Sequence, residues 1–179
     1  MILCRMFFLT SGFCLLLALP AARAQELLDH ATAGELVDAL TPGFSETRGL
    51  LVEASPVSTN SYGDALAATV NLAIHFDFNS ADISLQSEAL LKSLGEALAS
   101  PALSQYRFLI GGHTDAVGSD AFNMELSRDR AEATRNFLVS RYGIDSARLI
   151  TRAFGKSALL LPGQPQDGRN RRVEISTLQ

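Results

Sequence analysis

In the segment from Gly112 to Arg130, the acid Asp115 and the base Arg130 are placed so that together they could bind a small zwitterionic group. On a helical wheel at about 100° per residue, Arg130 falls at the border of an apolar stripe, and none of its neighbours three or four positions away is acidic. A half-buried guanidinium needs a carboxylate, which either another segment or a ligand could supply. Asp115, in the turn before the helix, could be a cap or turn residue. Together the two side chains would suit a ligand with an ammonium group and a carboxylate at one end.

The same wheel separates Arg130 from the other charges of this helix. The apolar stripe that we expect to face the core consists of Phe122, Leu126, Ala133 and Phe137. On the opposite side, at i,i+3 and i,i+4 spacing, are Glu125, Arg128, Glu132 and Arg135. We expect these four charges to pair with one another on the solvent face, without a ligand.

A metal site is an alternative interpretation of the same region. His75-x-Asp77 and His113-x-Asp115 are two pairs of potential ligands, which could supply mixed nitrogen and oxygen donors if the two segments were neighbours. Asp and His are common at strand ends, so this pattern favours a metal only weakly.

A hydrolase is a second alternative, which could use the same four residues. It would need a base within reach of a nucleophile, and His113 beside Thr114 or Ser119 is the local arrangement that offers both. The segment contains no G-x-S-x-G motif. We therefore expect His113 to pack or hydrogen-bond within the turn, in a protein that is not an enzyme.

Alternating strands and helices must position these residues. Val70, Leu72, Ile74, Phe76 and Phe78 alternate with more polar residues at 71 to 79, which predicts a half-buried strand whose first set faces the core. We predict a helix from Ser84 to about Ala99, a strand over 106–110 broken by Gly111, a helix from Ser119 to Tyr142 ended by Gly143, and strands over 149–154 and 172–177. The order β-α-β-α-β-loop-β predicts an α+β two-layer sandwich with a mixed four-stranded sheet over residues 66–179.

The chain before residue 66 has two predicted parts. Arg5, an apolar run from Met6 to Leu19 and an A-x-A site at 22–24 are typical of a signal peptide over residues 1–24. Residues 25–65 are expected to form an N-terminal segment with one short helix, within 26–40, and a linker over 55–64 that is rich in turn formers.

Charge and cysteine content narrow the classes of partner. Without Arg5 and Arg23 of the leader, 13 basic residues remain against 19 acidic ones, a net charge of −6. A nucleic-acid partner would require a concentrated basic face, so we expect none. Cys4 and Cys14 both lie in the leader, so the exported chain is expected to have no disulfide.

Residues 111–131, GGHTDAVGSDAFNMELSRDRA, carry a resemblance to a known family. They resemble the peptidoglycan-binding domain at the C-terminus of OmpA-like proteins and in peptidoglycan-associated lipoproteins, whose pattern is a GHTD-type turn, a Gly, an Asn and then L-S-x-x-R-A. The matching residues are Gly112-His113-Thr114-Asp115, Gly118, Asn123, Leu126-Ser127 and Arg130-Ala131, with further matches at 76–80 (FDFNS) and 170–174 (NRRVE). The resemblance covers about residues 70 to 179.

The resemblance implies non-covalent binding of peptidoglycan through the diaminopimelate of its stem peptide, without a cofactor. Asp115 would hold the side-chain ammonium of this diamino acid, Arg130 would hold its carboxylate, and Asn123 would hydrogen-bond the same end. The implied role is to tether or organise the cell envelope, in the periplasm beside the outer membrane of a Gram-negative bacterium. Residues 25–65 could dock onto another envelope protein.

The outer contacts of the site are implied less directly. Asn79 and Thr114 are expected at its rim. Arg171 could contact the ligand or pair with a structural acid. The chain departs from the family pattern after the third predicted strand, where Gly155 is followed by Lys156 instead of the Glu that the family often has.

Overall fold

The computed structural model describes residues 27–43, 58–59, 65–76 and 80–178. The predicted signal peptide, most of the predicted linker, and Asp77, Phe78 and Asn79 lie outside the described residues. The helices of the described part are α1 (Ala33–Leu40), α2 (Glu88–Ala99) and α3 (Asp120–Tyr142). Its strands are β1 (Leu27–Leu28), β2 (Ser58–Thr59), β3 (Ala65–Leu72), β4 (Arg107–His113), β5 (Leu149–Gly155) and β6 (Val173–Leu178).

One mixed sheet contains all of these strands, in the order β1-β3-β6-β4-β5, with β2 also paired to β3. The pairs β1–β3 and β4–β5 are parallel, and the pairs β2–β3, β3–β6 and β4–β6 are antiparallel. The predicted α+β fold with a mixed sheet is confirmed. The four predicted strands correspond to β3, β4, β5 and β6, and two strands of two residues each extend the sheet.

The described N-terminal residues pack into the same core as the rest of the chain. The amide of Ala73 donates to the carbonyl of Leu28 at 2.7 Å, which extends the pairing of β1 with β3. Leu36 and Leu40 of α1 are fully buried, and the Thr177 hydroxyl donates to the Leu40 carbonyl at 2.7 Å. The core therefore begins well before residue 66.

Helix α1 is shorter than predicted because its capping residues lie inside the expected span of 26–40. The Thr32 hydroxyl accepts a hydrogen bond from the Glu35 amide, and the Glu35 carboxylate accepts one from the Thr32 amide. This capping box fixes the first turn at Ala33. None of the described helices combines the length and the apolar character that crossing a bilayer requires.

Strand β3 lies earlier in the chain than the alternating pattern predicted. It ends at Leu72, and Phe76 makes an isolated antiparallel bridge with Ile83. Asn71, expected to face outward, is 3% exposed, and its buried side-chain oxygen is satisfied by a 2.7 Å hydrogen bond from Arg172 Nε. The pattern located the buried Leu72 and Ile74 correctly, but both faces of the sheet are covered at this point.

Strand β4 runs through the glycines that were expected to end it. Gly111 and Gly112 remain paired with Glu174 and Val173 of β6. A Cβ on Gly112 would lie 1.9 Å from the Ser127 carbonyl oxygen, so the missing side chain lets α3 approach the sheet closely.

Helix α3 has the predicted ends but buries a different face. Ser119 caps it and Gly143 ends it with φ +63°. Phe122 of the expected stripe is 45% exposed. The buried side chains are instead centred about 100° further round the helix, and they are Asn123, Ser127, Arg130, Ala131, Thr134 and Leu138. Ser127 faces the sheet at Gly112, because the close approach of α3 to the strand leaves no room there for a larger side chain.

The rest of the core follows the predicted pattern. Leu91, Leu94 and Leu98 of α2 are fully buried, as expected, and pack with Phe108 and Ile175 of the sheet.

On α3, Arg135 donates to the carbonyls of Leu149 (3.0 Å) and Ser146 (3.1 Å), so it braces the turn before β5 instead of pairing with Glu132.

Candidate functional site

A cleft of about 910 Å³ opens beside the end of β3. Its walls come from residues 73–76 after β3, from residues 83–86 before α2, from α3, and from the 167–171 segment before β6. The charged side chains among its lining residues are Arg130, Asp167, Arg169 and Arg171, with His75 beside them. The fold thus gathers cations from two distant segments into one concave surface.

Arg130 is the most enclosed cation of this cleft. The residue is 8% exposed, its Nε donates to the Ser80 carbonyl at 3.3 Å, and its guanidinium carbon lies 5.0 Å from the centre of the Phe76 ring. Among the described residues, no carboxylate oxygen lies within 4.0 Å of its nitrogens. Burial lowers the pKa of Arg130, as does the charge of Arg171, whereas Asp115 raises it.

Asp115 is only 13% exposed and uses both of its carboxylate oxygens. Oδ1 accepts a 3.0 Å hydrogen bond from the Val117 amide, which is the turn role considered from the sequence. Oδ2 accepts a 2.7 Å hydrogen bond from Arg171, whose side chain is 53% exposed. Arg171 therefore pairs with an acid, and that acid is Asp115, which the sequence analysis expects to bind the ligand.

The loop between Asp115 and α3 is braced from two sides. Asn123, 2% exposed, donates through Nδ2 to the Val117 carbonyl at 2.8 Å. Lys156 lies 2.7 Å from Asp120 and donates to the Gly118 carbonyl at 3.0 Å. The lysine that departs from the family pattern thus has an acidic partner and fixes the loop that carries Asp115.

The two expected rim contacts have different outcomes. Thr114 is 2% exposed, so its rim position is wrong: its amide donates to the Gly155 carbonyl at 2.9 Å, which draws the residue between the strands. Its hydroxyl is buried without a hydrogen-bond partner among the described residues. Asn79 lies outside the described residues.

His113 belongs to a buried polar cluster beneath the sheet. Its ring stacks on Phe154 with the centroids 4.7 Å apart, and Nδ1 donates to the Ala158 carbonyl at 3.0 Å. Its Nε2 lies 3.4 Å from Glu174, which also lies 3.6 Å from Arg172. Burial lowers the pKa of His113, although the contact with Glu174 opposes this shift. The residue is a structural group, as the turn sequence indicated.

These positions do not favour the metal or hydrolase alternatives. Within the described ranges, no group of three or more His, Cys, Asp or Glu side chains could hold a metal ion. His113 is directed at Ala158 and Glu174, whereas Asp115 is bonded to Arg171. The two H-x-D segments therefore do not converge through His113 and Asp115.

Sequence reasoning missed one charged pair of the cleft. Asp167 and Arg169 bond through both carboxylate oxygens, at 3.1 and 2.8 Å, and the Arg169 hydrogen bonds lower the pKa of Asp167 to about 2. The sequence does carry a signal for this pair, because residues 167–172 (DGRNRR) are densely charged. The prediction of a strand rests on apolar alternation and does not consider this charge.

Comparisons with known proteins find relatives that match the C-terminal part of this chain. A family model described as "OmpA family" matches residues 75–172. Outer membrane porin F of Pseudomonas aeruginosa is 37% identical over 108 residues, which are 59% of this chain and 30% of porin F. Outer membrane protein A of Bordetella avium is 33% identical over 113 residues, 62% of this chain and 57% of that protein. The chain thus spans less than two thirds of either relative.

Solved structures show the same fold at lower identity. The OmpA-like domain of FopA1 from Francisella tularensis superposes with a TM-score of 0.52 at 22% identity, covering 76% of this chain and 87% of that one. The periplasmic domain of Helicobacter pylori MotB gives 0.53 at 18% identity, covering 69% and 87%. Since the family model spans more than half of the sequence, the protein belongs to the OmpA family.

Proposed function

We propose that the protein binds peptidoglycan non-covalently through the diaminopimelate of the stem peptide, and so tethers or organises the cell envelope. The observation that carries the proposal is Arg130, a nearly buried cation in a cleft with no carboxylate within 4.0 Å among the described residues. An arginine in this state offers a planar pair of donors to a ligand carboxylate. The family likeness supports the choice of peptidoglycan as the source of that carboxylate.

Asp115 is proposed to receive the side-chain ammonium of the same diamino acid. A carboxylate has about four acceptor positions, and Asp115 uses one on Val117 and one on Arg171. An ammonium could therefore bind beside Arg171 without displacing it. Asn123 would add a hydrogen bond through its side-chain oxygen, and Arg171 and Asn79 complete the set of proposed contacts.

The proposed setting is the periplasm, next to the outer membrane of a Gram-negative bacterium. Support comes from the names of the relatives, which are outer membrane proteins. We propose a binding protein and not an enzyme, with peptidoglycan as its partner and no nucleic acid. A second envelope protein could dock through residues 25–65, and it would have to meet the exposed side of α1, since Leu36 and Leu40 face the core.

Retention on purified sacculi that contain diaminopimelate tests the proposal. Asp115→Ala and Arg130→Ala should each weaken binding by about 2–5 kcal/mol, roughly 30-fold to several-thousand-fold, because each leaves one charge of a desolvated pair unmatched. Arg128→Ala is the matched control, since Arg128 lies exposed on the same helix. Circular dichroism would confirm that all variants are folded. Wild-type retention of both site variants would overturn the proposal.

A further inference from the structure

The backbone beside Asp115 is held by a loop from a different part of the chain. The Ala116 amide donates to the Pro165 carbonyl at 2.8 Å. Pro165 lies in the β5–β6 loop, residues 156–172, which also carries Arg171, the partner of the Asp115 carboxylate. One loop therefore holds Asp115 twice, through the neighbouring amide and through the side chain. The position of the carboxylate depends on the shape of this loop.

Asn170 fixes the shape of the β5–β6 loop from inside. The residue is fully buried. Its Nδ2 donates to the carbonyls of Gln164 at 2.8 Å and Pro165 at 3.2 Å, and its Oδ1 accepts a hydrogen bond from the Leu161 amide at 2.8 Å. Both donor hydrogens and the oxygen of the carboxamide are thus in use. All three bonds go to the backbone of residues 161–165, so this side chain ties the middle of the loop to its end.

The Pro165 carbonyl is the point at which Asn170 meets the segment that carries Asp115. This carbonyl accepts hydrogen bonds from Asn170 Nδ2 and from the Ala116 amide. Without the Asn170 side chain, the backbone groups that it bonds would lose their partner, which costs free energy unless they turn toward water. A loop that rearranges in this way would withdraw the acceptor of the Ala116 amide.

The β5–β6 loop can rearrange without unfolding the rest of the protein. Residues 162–166 are exposed. The hydrophobic core of the described part takes none of its side chains from residues 156–171. Segments with few buried apolar contacts open locally, at a lower free energy than the whole fold. We therefore expect a change at Asn170 to act on the loop and on Asp115 more than on the core.

We propose that Asn170 is a positioning residue, which holds the Asp115 carboxylate ready for an ammonium group by way of Pro165 and Ala116. This inference rests on the proposed function, in which Asp115 receives the ammonium of the ligand. Asn170 itself makes no contact with the ligand, because its side chain is fully buried within the loop. A carboxylate that is fixed before the ligand arrives loses less conformational freedom on binding, so the affinity is higher.

Retention of the full chain on sacculi that contain diaminopimelate, measured over a range of protein concentrations, tests this role. Asn170→Ala should weaken binding about ten-fold, which corresponds to about 1.4 kcal/mol. Asn170→Ser keeps a hydroxyl for one of the three backbone groups and should weaken binding about three-fold. Thr177→Val is the matched control, because Thr177 is buried at the far end of β6 and donates to the Leu40 carbonyl at 2.7 Å. It removes a buried hydrogen bond away from the loop and should bind like wild type.

Two further measurements distinguish positioning from a general loss of structure. Hydrogen exchange of the Ala116 amide should become about ten-fold faster in Asn170→Ala, whereas the amides of Ile110 and Ile175 in the central strands should exchange as in the wild type. In a protein that already carries Asp115→Ala, adding Asn170→Ala should change the residual binding by less than about two-fold. The second change then has no carboxylate to position, so the two effects are not additive.

The outcomes separate this inference from the proposed function. A loss in Asn170→Ala that disappears in the Asp115→Ala background supports the role. Wild-type binding of Asn170→Ala, or an equal loss with and without Asp115, overturns the role and leaves the proposed function standing. If circular dichroism shows that Asn170→Ala does not fold, the same criteria apply to Asn170→Ser. If Asp115→Ala and Arg130→Ala both bind like wild type, the proposed function is overturned and the role of Asn170 with it.

Discussion

Two nearly buried arginines, Arg172 beneath the sheet and Arg130 in the cleft, occupy opposite kinds of surroundings. They are 4% and 8% exposed, and burial lowers the pKa of each. Arg172 Nε donates to Asn71 at 2.7 Å, and its terminal nitrogens lie 3.6 Å from Glu174 and 3.3 Å from the Ala158 carbonyl. Arg130 has the Ser80 carbonyl and the face of Phe76.

The difference shows how the same residue type serves structure in one place and recognition in another. Around Arg172 the chain supplies the acid, the amide and the carbonyl, so the charge is matched before any ligand arrives. Around Arg130 the chain buries the guanidinium group, but none of the acids among the described residues pairs with it. A desolvated cation of the second kind gains most from an external carboxylate.

Removing Arg172 should have the largest effect on stability. Arg172→Ala leaves Glu174 as a buried charge without its cation, which should lower the free energy of unfolding by about 3–5 kcal/mol. Urea denaturation followed by circular dichroism measures the change. In the double variant with Glu174→Gln a large part of the loss should return, because the stranded charge is gone. A loss under about 1 kcal/mol in Arg172→Ala would contradict the structural role.

Lowering the pH should reduce the free energy of unfolding by a smaller amount, because His113 lies in the same buried polar cluster as Glu174 and Arg172. Burial holds the pKa of His113 below the ordinary value near 6.5, so the unfolded chain takes up a proton first as the pH falls. The stabilisation is complete above about pH 6.5 and should decline below it, by at most about 1.4 kcal/mol per pH unit.

Denaturation at pH 7.5 and pH 5.5 would measure this slope. His113→Gln should flatten it, whereas His75→Gln, at an exposed position, should leave it as in the wild type. An equal slope in the wild type and His113→Gln would show that His113 does not couple the cluster to pH.

Removing Arg130 should have the smallest effect on stability, and the opposite sign. Arg130→Met keeps most of the side-chain volume and deletes a desolvated charge, so the free energy of unfolding should stay constant or rise by up to about 1 kcal/mol. Thermal denaturation of the free protein is the measurement. A loss of unfolding free energy as large as that of Arg172→Ala would mean that Arg130, like Arg172, stabilises the fold and that its charge already has a partner within the protein.

The elements that local signals define were predictable from the sequence. Ser119 and Gly143 fixed both ends of α3, because a capping hydroxyl and a glycine with positive φ act within one helical turn. The face that α3 buries was not predictable in this way. It depends on Gly112, whose missing side chain admits Ser127 and not a large apolar group. The two-residue strand β1 likewise exists only through its pairing with β3.

The surroundings of Arg130 were predictable from the sequence, but the pairing of the other candidate residues was not. The wheel singled out Arg130 because no acid lies near it along the helix, and none of the described acids lies within 4.0 Å in space. The bond between Asp115 and Arg171 joins residues 56 positions apart, and no periodic pattern reports on such a contact. The part of the cleft wall that Leu27 and Leu85 form depends on the path of two separate segments.

The contact of Lys156 with Asp120 and the Gly118 carbonyl has a consequence for how this sequence can drift. An acid at 156 would face both an acid and a carbonyl oxygen, so reversing that charge alone would remove one of the contacts that brace the loop that carries Asp115. An acid at position 156 is therefore expected to be tolerated better once position 120 no longer carries an acid.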